Sequence, residues 1–131
     1  MGTCKITWKF FIIHIIQMKV LMLNGSRREN WCTFTALNIV AQELKNHAIE
    51  SEIIFVWKDA LTDKLDNLVK SIIEKMAECD WLVAWSPVYF ASISAEIKAV
   101  LDRLFMVWEN VLRCKPAAWI ACARRAWTTA S

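Results

Sequence analysis

Glycine is almost missing from this chain: Gly2 and Gly25 are the only two in 131 residues, against a usual share of about 7%. Proline is equally scarce, with two residues, so no Pro/Gly-rich linker or low-complexity tract interrupts the chain and nothing in the composition argues for a second domain or for disorder. Histidine is limited to His14 and His47. Neither a Ser-His-Asp constellation nor an acid/base carboxylate pair is evident, so a chemistry run by side chains alone finds no support. The five cysteines, Cys4, Cys32, Cys79, Cys114 and Cys122, are odd in number and include no C-x-x-C pair. That pattern points away from a zinc site and from a closed disulfide framework, and fits a reducing cytoplasm. Charge of one sign is lacking too. The formal net charge is +3, with Lys and Arg interspersed among Asp and Glu, which leaves no electrostatic stripe for nucleic acid but is compatible with a small anionic ligand.

What the chain has is apolar content: 56% hydrophobic residues over 131 positions, enough to bury one core in one globular domain. The run Phe10-Phe11-Ile12-Ile13-His14-Ile15-Ile16, after Lys5 and Lys9, superficially resembles a signal peptide. It is too short to span a bilayer, no small-residue cleavage site follows, and a buried strand begins directly at Met18. Residues 1–17 are therefore expected to be a non-native upstream extension, with translation properly beginning at Met18. Without them the formal charge falls to +1.

From Met18 the pattern alternates short apolar runs with amphipathic stretches. Lys19 to Leu23 has the continuity of a strand buried on both faces. Thr33 to His47 places Leu37, Val40, Ala41 and Leu44 at helical spacing, and Ile49 to Val56 returns to a β-branched strand pattern. A second helix is expected over Thr62 to Cys79, with Leu65, Leu68, Val69, Ile72, Ile73 and Met76 on one face. Leu82 to Ala84 follows as a third strand, Ser92 to Phe105 as a third helix, and Pro116 to Ala123 as a fourth apolar strand. The order βαβαβαβ implies an α/β fold with a doubly wound parallel sheet and right-handed crossovers.

In such sheets the ligand lies beyond the carboxyl ends of the strands. Three loops qualify. Asn24 to Thr33 places Ser26, Asn30 and Thr33 before a helix, where free N–H groups and the macrodipole favour phosphate, although the same residues also serve as ordinary caps and Arg28 as a solvated cation. Ser86 to Ser92 carries Pro87, Val88, Tyr89 and Phe90, a surface against which a flat heterocycle could stack, or simple apolar packing. Arg124 to Thr129 offers Arg124, Arg125, Thr128 and Thr129 as donors, or a charged turn. Three such loops at one edge point together to an anionic aromatic cofactor.

The residues also resemble a family. Met18 to Ser26 with Arg28 and Asn30, then Ser86-Pro87-Val88-Tyr89-Phe90, Ile97 to Arg103 and Ala123 to Ala126 are similar to the flavodoxin-like NAD(P)H-dependent FMN reductases. The resemblance covers Met18 to the end. It implies a three-layer α/β/α sheet of order 2-1-3-4 and FMN bound with its phosphate at Ser26, Arg28, Asn30 and Thr33. The ring would lie against Pro87, Val88, Tyr89 and Phe90, with Arg124 and Arg125 nearby. It also implies NAD(P)H as co-substrate and hydride transfer through FMN to a small-molecule acceptor, with the cofactor carrying the chemistry. Nucleic acid and membrane are not implied partners, and family members often dimerise near the flavin. A flavodoxin-type electron carrier, or a remnant that binds no flavin, are the rival readings; near-neutral charge and the Ala123-Arg124-Arg125-Ala126 turn favour the reductase over the usually acidic carriers.

The chain departs from that family in three ways. Trp57 to Asp63 is short and has no cysteine, where some relatives hold an iron–sulfur centre. Relatives continue past the third loop through a helix, a fifth strand and a last helix, so residues 18–131 are expected to be a flavin domain incomplete at its carboxyl end. Finally, the chain has eight tryptophans. Trp31, Trp85 and Trp127 fall where the family has glycine, and Trp57, Trp81, Trp108 and Trp119 lie in turns or tight contexts that glycine would suit. Such an exchange is expected where UGA codons for glycine are read as tryptophan; a diverged homologue with real tryptophans is the alternative. Peptide mass spectrometry of the protein from its native source is expected to find glycine at most or all of positions 31, 57, 81, 85, 108, 119 and 127. Intact tryptophan at positions 31 and 85 would refute the recoding.

Overall fold

A computed structural model of the chain describes residues 18–90, 92–107 and 113–123. The expectations for residues 1–17, for Trp108, and for Arg124 to Thr129 with Trp127 lie outside the described residues. The elements run β1 (Lys19–Asn24), α1 (Cys32–Asn46), β2 (Glu50–Phe55), α2 (Leu65–Glu78), β3 (Trp81–Tyr89), β4 (Ser92–Ile93), α3 (Ala95–Val107) and β5 (Ala117–Cys122).

β1 is flanked in parallel by β2, with Val20 opposite Ser51, and by β3, with Val20 opposite Trp81. β5 pairs in parallel with the far side of β3, with Leu82 opposite Ala117. The parallel order β2-β1-β3-β5 is the expected 2-1-3-4 once the short β4 is set aside, since β4 only folds back antiparallel onto the end of β3.

Alternation along β1 sends side chains to opposite faces. Leu21 and Leu23 join Leu82, Ala84, the α2 residues Val69, Ile72 and Met76, and the α3 residues Ile97, Val100 and Leu104. Val20 and Met22 join Val83 and Leu37, with Val40, Ala41 and Leu44 of α1 packed alongside. One helix thus covers one face and two cover the other, which gives three layers. Among the described residues no helix is long and apolar enough to cross a membrane. Cys79 is buried, and burial, aided by Glu52, pushes its thiol pKa up, so it is held protonated.

Three boundaries differ from expectation. α2 begins at Leu65, not Thr62, because the Thr62 hydroxyl donates to Asp59 O at 2.9 Å and accepts Lys64 N–H at 3.2 Å, closing a local turn that competes with helix. α3 begins at Ala95, not Ser92, because Ser92 and Ile93 pair with Tyr89 and Val88. The third strand does not end at Ala84. It runs to Tyr89, held by β5 as far as Pro87 opposite Cys122, so Pro87, Val88 and Tyr89 stand on an extended strand and not in a loop.

α1 ends in a Schellman motif: Ile49 N–H donates to Leu44 O at 2.9 Å and Ala48 N–H to Lys45 O at 3.0 Å. Ala48, at φ 58°, takes the left-handed position that glycine fills most easily. Ala48→Gly is therefore expected to raise stability by about 1 kcal/mol. A urea midpoint that is unchanged or lower would show that the turn carries no strain.

Candidate functional site

Asn24 closes β1 with its side chain wholly buried. Its Oδ1 accepts the Ser26 N–H at 2.9 Å, which bends the chain out of the strand. Its Nδ2 is buried without a partner. Gly25 lies between β1 and β3: its N–H donates to Trp85 O at 2.9 Å and its carbonyl accepts the Ser94 hydroxyl at 2.9 Å. A Cβ on Gly25 would come within 2.9 Å of Ile97 Cβ and 3.2 Å of Trp85 O, so glycine is required here by close approach.

Ser26 is buried, and its hydroxyl accepts the Arg28 N–H at 3.2 Å and reaches Arg28 O at 3.4 Å. Arg28 lays its guanidinium over the Trp31 indole, 3.9 Å from the ring centroid. Asn30 is exposed, and Thr33 is buried in the first turn of α1. None of these side chains caps the helix: the N-cap is Trp31, which makes no side-chain cap bond. The first backbone bond of α1 is Thr35 N–H to Trp31 O at 3.0 Å, so the N–H groups of Cys32, Thr33 and Phe34 precede the helical ladder. That arrangement suits an anion.

The second group stands on the hairpin formed by the end of β3 and β4. Ser86 is buried, accepts the Ser94 N–H at 2.9 Å and donates to Pro87 O at 2.8 Å. Pro87 and Val88 are half-buried, Tyr89 is half-exposed, and Phe90, at the tip, is 98% exposed with φ 45°. A bulky residue in that region is strained, by about 1–3 kcal/mol. Since β3 also carries Trp85, which receives the Gly25 N–H, and Ser86 and Ser94 join β3 to α3, the hairpin and the loop after β1 belong to one hydrogen-bonded edge. Arg124 and Arg125 lie outside the described residues. His47 caps the other end of α1, paired with Glu43.

Residue-type reasoning missed the groups that hold this edge together: Asn24, Ser94 and the ion pair between Arg27 and the buried Glu96. A serine directly before the helical run of α3 was a readable N-cap signal, and the Ser94 hydroxyl accepts the Ile97 N–H at 3.4 Å. The Arg27–Glu96 pair had none.

The described tryptophans qualify the glycine argument. Positive φ among the described residues occurs at Ala48, Phe90 and Cys114 and at no tryptophan, so Trp31, Trp57, Trp81, Trp85 and Trp119 do not occupy backbone that demands glycine. Close packing remains relevant at two of them. The indole N–H groups of Trp57 and Trp85 are buried without partners, each costing about 1–3 kcal/mol. Among the described residues no cluster of His, Cys, Asp and Glu could hold a metal ion.

Comparison with known proteins adds to this geometry. The profile of the NADPH-dependent FMN reductase family matches residues 18–130. An iron-sulfur flavoprotein of Methanocaldococcus jannaschii is 33% identical over 103 residues, covering 66% of this chain and 51% of that protein. An FMN-dependent NADPH-azoreductase of Staphylococcus aureus is 28% identical over 114 residues, covering 79% of this chain and 59% of that one. The chain thus spans about half the length of the curated relatives it matches. The crystal structure of an NADH:FMN oxidoreductase in its apo form shares the fold, with a TM-score of 0.67 at 22% identity over 87% of this chain and 63% of that one.

Gly25→Ala should destabilise the protein by about 1–3 kcal/mol through overpacking against Ile97 and the Trp85 carbonyl. A chemical-denaturation midpoint equal to that of the parent would mean that β1, β3 and α3 do not meet this closely.

Proposed function

This chain belongs to the NADPH-dependent FMN reductase family, whose cofactors are FMN and NAD(P)H, and we propose that residues 18–131 form an FMN-binding oxidoreductase domain that uses NAD(P)H to reduce a small-molecule acceptor. The observation that carries this reading is the donor set at the end of β1. Three first-turn N–H groups of α1 and the orphaned Asn24 Nδ2 lie at a loop that also holds two arginines.

Those donors fit a phosphate. Ser26, Arg28, Asn30 and Thr33 hold it together with the backbone of the first turn, and the macrodipole of α1 adds favourable potential. Pro87, Val88, Tyr89 and Phe90 would provide the apolar surface for the ring. Bound FMN supplies hydride acceptance from NAD(P)H and electron delivery to the acceptor. The chain's own work would be to bind the phosphate and to shelter the ring with the Tyr89–Phe90 tip. The lacing of Gly25, Ser86 and Ser94 keeps phosphate loop and ring surface in register, which supports a preorganised site.

The azoreductase and the oxidoreductase above support a reductase over a flavodoxin-type carrier. Consumption of NADPH by the FMN-loaded protein with a quinone or free flavin as acceptor separates the two. A carrier would be reduced only by a protein partner.

The protein is expected to bind FMN more tightly than riboflavin, because the phosphate supplies much of the recognition. Thr33→Ala should weaken FMN by about 1–3 kcal/mol and leave riboflavin nearly unchanged. Fluorescence titration with the two flavins reads both values, and equal affinity for them would remove the phosphate assignment.

A further inference from the structure

Glu96 stands in the first turn of α3 with its residue surface only 2% exposed, where an ionised carboxylate is costly unless it is paired. Its partner is the Nε of Arg27, on the loop after β1 and 69 residues away in sequence. A pair of this kind adds little stability over a well-packed apolar contact, so its worth lies in the geometry it imposes. The Arg27 side chain is 62% exposed. With Nε bonded to Glu96 in a side chain that is mostly exposed, the four N–H donors of the two terminal nitrogens are left for another partner, in the fork that matches a phosphate. The neighbouring residue, Ser26, is pinned by Asn24, whose Nδ2 is buried and unpartnered. Arg28 meanwhile stacks on Trp31.

We infer that Arg27 is a second cation, beside Arg28, that receives the phosphate of the flavin nucleotide, and that Glu96 is the positioning residue that aims it, by holding Nε from α3. This rests on the FMN reading above and adds two residues to it. Glu96 touches no ligand. It acts through Arg27, so the two residues should behave as one unit when either is removed.

The test is a titration of the full chain and the variants Arg27→Ala, Arg27→Lys, Glu96→Ala, Glu96→Gln and the Arg27→Ala/Glu96→Ala double variant with FMN and with riboflavin. Melting of each free protein is measured with and without inorganic phosphate. Arg27→Ala and Glu96→Ala are each expected to weaken FMN about tenfold and riboflavin less than about twofold, with the double variant no weaker than Arg27→Ala. Glu96→Gln, which keeps an acceptor for Nε, should recover most of the loss. Arg27→Lys should not, since one ammonium cannot serve the carboxylate and present a fork together. Equal weakening of FMN and riboflavin would show that the pair only supports the loop and would overturn the assignment, as would additive losses in the double variant or an unchanged FMN affinity in Glu96→Ala. If the parent binds neither flavin, the FMN reading fails by itself. Inorganic phosphate then decides the anion role: it stands if phosphate raises the melting temperature of the parent but not of Arg27→Ala, and falls if phosphate raises neither.

Discussion

Burial of β1 on both faces is the constraint from which the rest of the molecule follows. A strand covered by α1 on one side and by α2 and α3 on the other has no water for its backbone, so its N–H and C=O groups must be met by β2 and β3. That places β1 in the middle of the sheet and fixes where its carboxyl end emerges. Asn24 and Gly25 stand at this end, and both are wholly enclosed or closely approached. The loop that follows is therefore positioned by the core itself, and the first turn of α1 is presented to solvent at a defined place beside β3.

The edge is then tied crosswise. Gly25 bonds to Trp85 of β3 and to Ser94 before α3, while Ser94 bonds in turn to Ser86. Each bond is ordinary in strength, and each joins segments that belong to different helical or strand units. Together they keep the turn after β1 and the aromatic hairpin at fixed separation, as the proposed binding of a flavin nucleotide by its anionic end and flat ring requires. The Arg27–Glu96 pair extends the same lacing outward. In this light the wide resemblance to FMN reductases and the local geometry support each other, one through the residues and the other through their hydrogen bonds.

The shortage of glycine and the excess of tryptophan meet at this edge. Left-handed backbone occurs at Ala48, Phe90 and Cys114, none of them tryptophan, so conformational need does not explain why glycine would suit the tryptophan positions. Space does, at least in part. The indole N–H groups of Trp57, just after β2, and of Trp85, on β3 opposite Asn24, are buried and unpartnered, and an uncompensated donor in such a place is what a smaller residue would avoid.

Periodicity alone determined the order of the helices and of the parallel strands, the two-faced burial of β1, and the core positions of α1 and α2, because spacing of 2 and 3.6 residues is a property of neighbours along the chain. It also led to a loop where donors are left free, since unpaired N–H groups at a helix start are a local consequence of the helix. Local pattern failed where distant residues compete for a segment. Thr62 was drawn into a turn by Asp59, and the supposed loop at Pro87 was kept extended by β5 and by the return of Ser92 and Ile93. The partners of Gly25, Ser86 and Glu96 could be known only from the folded chain. Which residues become neighbours across tens of positions depends on how the sheet stacks its strands, and no repeat in the sequence records that.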